Sequence, residues 1–292
     1  MPNTRQIRQR IRSVTSTQRI TNAMELIAAA KMRRAQQRVM ASRPYSTRLL
    51  DLIADIVARQ SGSGDDVHPL MQVREPSNIG LILFTPDRGL CGGLNANLNR
   101  AAYNFGLEQQ HPVSQISVGK KGNDFFSRRG RDIRAEFLNL GDFPDPIDTS
   151  PIARIVLEDY EAGRLDRVYL AYANFVNTAV QEPTIRQLLP VEPPAASENG
   201  ASASLGDYEY EPDAATVLGG LLPRYVEMQI YQAALENSAS EQSARMVAMR
   251  AATDAAGEMI DALTLEYNKA RQETITTELL DLIGGVAALE KA

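Results

Sequence analysis

The sequence predicts an α/β protein: long N- and C-terminal helices pairing antiparallel as a coiled coil, with a largely parallel, doubly wound α/β domain inserted between them. Three observations predict it. From Leu221 to Ala270 a four-three heptad phase runs unbroken through Leu221, Tyr225, Met228, Gln232, Leu235, Ala239, Gln242, Met246, Met249, Thr253, Ala256, Ile260, Leu263, Tyr267 and Ala270, with Ala, Gln, Thr and Met at many of its positions. From Asn3 to Ala58 there is one proline, Pro44, and no glycine. Between Pro76 and Pro190 short apolar runs alternate with helical stretches.

The N-terminal coiled-coil helix is expected over residues 1–60. Its apolar stripe is Ile7, Ile11, Val14, then Ile20, Met24, Ile27, then Met32, Ala35, Val39, with a slip of phase between Val14 and Ile20. Pro44 is expected to kink or restart this helix, because its ring clashes with the carbonyl four residues back. Leu49, Leu50, Ile53, Ile56 and Val57 give the last turns an apolar face, and Ser61–Asp66 (SGSGDD) breaks the helix.

The central domain is expected over residues 75–191. Ile79–Phe84 reads as a buried strand, Leu94–Leu107 as a helix, Ile116–Val118 as a strand and Gly122–Arg128 as a short helix. Ile133–Phe137 follows as a strand, Pro151–Ala162 as a helix and Arg167–Phe175 as a strand. Thr184–Val191 is an edge strand, since Pro183 and Pro190 bracket it. Residues 192–212, rich in Pro, Ala, Ser and Gly, form a linker. Its Tyr208 and Tyr210, among Asp207, Glu209 and Glu211, suit either a protein contact or packing on the domain edge. Residues 213–292 are the C-terminal coiled-coil helix, on the order of 75 Å long over the seam alone. The chain leaves and regains the domain at Arg74 and Asp213, so the helix roots adjoin and the pair is antiparallel. Ile20–Ile27 is expected beside Ile260–Tyr267. Beyond Ala270 the phase falls on polar Thr274, Thr277 and Asp281, so the seam ends and another protein must supply the surroundings.

Composition narrows the function classes. Of the 292 residues 43% are hydrophobic, enough for one large or two ordinary domains. The single cysteine, Cys91, excludes an internal disulfide and fits a reducing compartment. No run of 18 or more apolar residues exists, and the start, MPNTRQIRQR, lacks an apolar signal core, so neither a membrane span nor a cleaved signal is expected. Residues 1–60 hold twelve Lys or Arg against three acids, +9 within a chain of net −5, which suits nucleic acid, an anionic membrane or an acidic protein surface.

Two glycine-rich turns could bind phosphate. Thr85–Asn95 (TPDRGLCGGLN) stands where a dinucleotide fold cradles a pyrophosphate, but Gly89, Gly92 and Gly93 do not form GxGxxG and no GK[ST] follows. A tight strand-to-helix turn that needs glycine is the favoured account of them. Gly119–Gly122 (GKKG) reads the same way. His68 and His111 both precede prolines in loops, so Cys91 has no evident base, and neither metal-ligand spacing nor a Ser-His-Asp set is present. No cofactor is expected.

Four stretches carry a resemblance: Thr17–Gln36 (TQRITNAMELIAAAKMRRAQ), Asp87–Asn95 (DRGLCGGLN), Glu236–Ala256 (ENSASEQSARMVAMRAATDAA) and Tyr267–Gly285 (YNKARQETITTELLDLIGG). They resemble the γ subunits of rotary, proton-driven ATP synthases over essentially the whole chain. The family's C-terminal signature is met by Ile275, Thr276, Glu278, Asp281 and Gly285, with Val286 in place of the usual Ala. The resemblance implies an antiparallel coiled coil inside a hexameric ring of α and β subunits, and a Rossmann-like α/β domain at the base beside the ε subunit and the c ring. It implies Arg271, Gln272 and Thr276 at the catch with the β subunits, and Tyr208, Tyr210 and Glu211 facing the c ring and ε. The plastid form's cysteine-bearing insertion is missing, so a bacterial type is implied, peripheral on the cytoplasmic face of the cell membrane and touching it only through the complex. The function implied is a non-catalytic rotor shaft coupling proton flow to ATP synthesis or hydrolysis, with no nucleic acid bound. Two alternatives stand beside it: a nucleotide-binding enzyme built on the central domain, and a coiled-coil nucleic-acid binder using the basic arm.

Overall fold

A computed structural model describes residues 4–60, 68–192, 210–211 and 213–290. In order the elements are α1 (Thr4–Gln60), β1 (Ile79–Phe84), α2 (Leu94–Glu108), β2 (Val113–Val118), α3 (Lys120–Ser127), β3 (Ile133–Phe137), α4 (Pro146–Glu161), β4 (Arg167–Phe175), β5 (Gln181–Leu189) and α5 (Ala214–Glu290). Contacts divide the chain into two compact units: Ala29–Arg245, and Met1–Ala28 with Met246–Ala292. Both long helices contribute to each.

In the first unit five strands are ordered β3-β2-β1-β4-β5, with β1 to β4 parallel and β5 antiparallel at the edge. Alternation along β1 explains the two layers. Leu81 and Leu83 face a cluster with Leu94, Leu98, Ala102 and Phe126 of α2 and α3, whereas Ile82 and Phe84 face Ile152, Val156 and Tyr160 of α4. That second face is completed by Leu49, Ile53 and Ile56 of α1 and Leu218, Leu222, Val226 and Ile230 of α5. The sheet's core therefore extends beyond residues 75–191, because α4 alone is too narrow to cover a five-stranded face.

Most elements match their sequence expectation to within a few residues. α4 begins earlier than Pro151, at Pro146, and the signal is Asp145-Pro146-Ile147-Asp148. Proline stands at the first helical position, and the Asp148 carboxylate accepts from the Asp145 N–H at 2.8 Å. β5 begins at Gln181 and contains Pro183, tolerated because β5 is an edge. α1 runs on through Pro44 rather than restarting. Met40, four residues back, is exposed, so the carbonyl that Pro44 leaves without a donor lies on the watered face.

The second unit is a two-helix pair. Arg8 donates to the Tyr267 hydroxyl with its guanidinium over that ring, and the Thr21 and Thr253 hydroxyls share a hydrogen bond of 2.8 Å. The helices are antiparallel, but the register differs from expectation. Thr21 opposite Thr253 and Arg8 opposite Tyr267 set Ile20–Ile27 beside about residues 247–254, and Ile260–Tyr267 beside the first turns of α1.

The expected slip of phase in α1 is absent. Ile7, Ile11, Val14, Gln18, Thr21, Glu25 and Ala28 continue one four-three stripe of buried and half-buried residues, while Ile20 and Ile27 are 57% and 55% exposed. Polar side chains hold the seam because they find partners across it: Thr21 bonds Thr253, and the Gln18 side-chain amide reaches the Thr253 carbonyl at 3.5 Å. Gln18 also lies 3.2 Å from where a Cβ on Gly257 would stand, so the one glycine of the regular seam leaves room for it. On α5, every seam position from Met246 to Ala270 is buried or half-buried, and every residue from Arg271 to Gly284 is exposed. The seam ends at Ala270 as its polarity requires.

The register is testable by crosslinking. With Cys91→Ser as background, Thr21→Cys paired with Thr253→Cys is expected to oxidise to an intrachain disulfide. Thr21→Cys paired with Ile260→Cys is expected to stay reduced, since those residues lie about two helical turns apart along the pair. Faster bridging in the second variant would refute the observed register.

Candidate functional site

In doubly wound sheets the ligand crevice opens at the carboxyl ends of the strands where the order reverses, here between β1 and β4. β1 pairs with β4 only as far as Leu83 with Ala171, so β4 runs on unpaired on that side. Its free groups are taken by α5. The Ala173 N–H donates to Asn237 Oδ1 at 3.4 Å, and the Ser240 hydroxyl donates to the Ala173 carbonyl at 2.8 Å. Ser243 donates to Thr178 O at 2.8 Å, and Ser238 to Asp142 O at 2.6 Å. The run Glu236–Arg245 is thus largely polar yet buried on nearly every side, the hydroxyls of Ser238, Ser240 and Ser243 and the amide oxygen of Asn237 spent on loop and strand-end backbone and the Gln242 amide on the Asp142 carboxylate.

The two glycine turns serve this packing. A Cβ on Gly119, whose φ is 95°, would stand 1.8 Å from the Thr85 carbonyl oxygen, so glycine lets the ends of β1 and β2 touch. Gly122 N–H donates to the Thr85 hydroxyl at 2.8 Å, and Asp87 accepts from the N–H groups of Lys120 (2.9 Å) and Asn139 (3.1 Å). A carboxylate already holds the amides that a phosphate would use. The full chain is accordingly expected to bind ATP or NAD no tighter than about millimolar. Calorimetric binding in the micromolar range that Gly92→Val abolishes would restore the nucleotide reading.

Arg245 links the turn to the helix. It pairs with Glu241 at 2.6 Å and donates to the Gly89 carbonyl at 3.3 Å, with side-chain exposures of only 10% for Arg245 and 14% for Glu241. Burial pushes the Glu241 carboxyl above its ordinary value, and Arg245 opposes that shift. Burial likewise raises the Cys91 thiol, which is 1% exposed and therefore a packing residue rather than a nucleophile. Two of the sequence blocks singled out above, Asp87–Asn95 and Glu236–Ala256, meet at this contact, which periodicity could not reveal.

The residues expected at partner contacts fall in different places. Arg271, Gln272 and Thr276 lie together on α5 past the seam, all exposed, with the Thr276 hydroxyl turned back onto the Gln272 carbonyl at 2.9 Å. The Arg271 side chain meets no carboxylate among the described residues. In the other unit Tyr210 packs against the sheet's core cluster, and its hydroxyl donates to Asp55 at 2.9 Å, so it lies on the domain edge. Glu211 beside it is exposed, and Tyr208 lies outside the described residues. Among the described residues no group of His, Cys, Asp or Glu could hold a metal, and no helix is long and apolar enough to cross a membrane.

A doubly wound domain whose crevice is closed by its own helix, together with a paired-helix unit whose C-terminal turns stand uncovered, defines a subunit that acts by contact with a larger assembly. The comparisons agree. The family described as ATP synthase matches residues 3–289. The ATP synthase gamma chain of Dehalococcoides mccartyi (strain CBDB1) is 54% identical, covering 99% of this chain and 100% of the relative. That of Herpetosiphon aurantiacus is 48% identical with full coverage of both. Among solved structures, a chain of the mitochondrial ATP synthase of Euglena gracilis, in an OSCP/F1/c-ring assembly, has a TM-score of 0.69 at 22% identity, covering 98% of this chain and 94% of its own. The chain belongs to the ATP synthase gamma chain family. The relatives it matches over its full length are named as one chain of that complex, the gamma chain.

Proposed function

We propose that the chain turns inside a hexameric ring of α and β subunits, with ε and the c ring at its base, and so couples proton flow to ATP synthesis or hydrolysis. The complex would place it peripherally on the cytoplasmic face of the membrane. The observation that carries this reading is the seam's end at Ala270. From Arg271 to Gly284 a helix continues with every residue exposed, Ile275, Leu279, Leu280, Leu282 and Ile283 among them, and water is a poor final environment for such a surface. An asymmetric helix of this kind, in contact with three β subunits in turn, favours a different conformation in each. Rotation then moves those conformations around the ring, a population shift with a mechanical input. Arg271, Gln272 and Thr276 are placed in this reading at the catch with β, and Tyr208, Tyr210 and Glu211 at the face toward the c ring and ε. A tagged full chain expressed in its native host is expected to bring down α and β in threefold excess, with ε and the c ring. Purification of the chain alone under the same gentle conditions would overturn the proposal.

A further inference from the structure

We infer that the loop between β3 and α4, residues 138–145, is a torsion strut of the rotor, and that Asp142 is its central positioning residue. The inference rests on the rotor reading above. Asp142 takes hydrogen bonds from both long helices: Lys31 Nζ on α1 donates to Oδ2 at 2.6 Å, and Gln242 Nε2 on α5 donates to Oδ1 at 3.1 Å. Its main-chain carbonyl accepts a third, from the Ser238 hydroxyl of α5 at 2.6 Å. One turn along α1 from Ala35, Arg38 grips the same loop, donating to Phe143 O at 3.1 Å, Pro144 O at 3.3 Å and Asp145 Oδ1 at 3.1 Å, with its guanidinium over the Phe143 ring.

The loop is also shaped and anchored at its sheet end. Asn139 and Gly141 adopt φ of 61° and 84°, left-handed bends that reverse the chain. The Asn139 N–H is held by Asp87, and Asp145 at the far end precedes the first turn of α4. A segment of eight residues is therefore tied to β1's loop, to α1, to α4 and to α5.

Directionality is what makes these contacts mechanical. Where α1 and α5 lie on the sheet, through Leu49–Ile56 and Leu218–Ala234, most of what holds them is apolar contact, which is non-directional and resists separation more than slip, with Gln229 adding directional bonds there, donating to Ser46 Oγ at 3.0 Å and accepting from Arg186 at 2.8 Å. Around Lys31 and Gln242 the apolar contact between the helices thins to a small cluster of Ala35, Val39, Leu235 and Ala239. There, hydrogen bonds fixed in distance and angle oppose rotation of each helix about its own axis. The Lys31 and Asp142 side chains are about one-third exposed (31% and 33%), so the pair adds little to folding stability. Its value is positional: it sets the azimuth of both helices against the domain.

The experiment uses the whole complex reconstituted in vesicles, with Asp142→Ala and, as a milder variant, Asp142→Asn. Three quantities are measured: ATP hydrolysis without load, ATP-driven proton uptake against an imposed gradient, and the torsional stiffness of the rotor followed with a bead on the c ring. Asp142→Ala is expected to leave unloaded hydrolysis within about twofold and to lower stiffness by about twofold or more, with proton uptake failing at a smaller opposing gradient than in the parent. Asp142→Asn, which keeps the acceptor for Gln242, should fall between. Parent-like stiffness and pumping in Asp142→Ala would overturn the strut. So would a parallel loss of hydrolysis, pumping and thermal stability, which marks a merely structural role. If the bead on the parent complex does not turn at all, the rotor reading itself fails and the strut falls with it.

Discussion

Arg271→Ala combined with Gln272→Ala is expected to leave the isolated chain folded, with unchanged helicity, and to lower ATP turnover of the reconstituted α–β head by about tenfold or more. The folded state has little to lose. Both side chains are exposed on the far side of the seam's end, so the substitution removes no contact from the two-helix unit and puts alanine, the best helix former, in their place. The complex has much to lose if these side chains meet a β subunit. Arg271 presents five donors in a rigid fork suited to a carboxylate, and Gln272 adds a donor and an acceptor for backbone groups. Truncating a charged contact that becomes buried at an interface costs about 2–5 kcal/mol, most of it from the partner charge left without its match. The readouts are circular dichroism of the chain alone and steady-state hydrolysis by the assembled head. Full turnover and full torque in the double variant would remove these residues from the mechanism and leave the coupling to the shape of the helix.

Arg245→Ala is expected to have the largest effect on folding, about 3–5 kcal/mol at neutral pH, because it strands Glu241 as a buried charge beside Asp87 and Asp142. The pH dependence follows from the direction of the shift. Burial already raises the Glu241 carboxyl, and without Arg245 it rises further. A group whose folded value is raised stabilises the fold below its unfolded value and loses that contribution as pH climbs through the folded value. The deficit of Arg245→Ala should therefore be greatest at neutral pH, shrink as pH falls through the raised folded value, and reach its minimum once pH is below the ordinary glutamate value of about 4.3. Replacing both partners, Arg245→Met with Glu241→Leu, should recover much of the loss, since an apolar pair of similar volume leaves no charge to strand. Denaturant unfolding at several pH values checks all three variants. A pH-independent deficit, or a double variant as unstable as the single, would show that the pair is not the source.

Much of the architecture was legible in residue order alone. β1 falls where its apolar run places it, because a strand covered on both faces must be apolar throughout, the edge strand β3 (IRAEF) falls where alternation places it, and the seam's end at Ala270 is written in the polarity of Thr274, Thr277 and Asp281. The family was legible in four blocks of sequence, the first of them Thr17–Gln36. What periodicity misread it misread for one reason. It assumes that apolar residues face inward, whereas in α1 Ile20 and Ile27 face out and Gln18 and Thr21 face in, because hydrogen-bond partners across the pair satisfy the polar ones. Only the tertiary structure could decide this, and for the same reason only it could show that Glu236–Arg245 is buried. Asn237, Ser240 and Ser243 tolerate burial by meeting the end of β4 and the turn after it, groups more than sixty residues away in the chain. Sequence determines which side chains carry donors and acceptors, and the fold determines whether each finds its match.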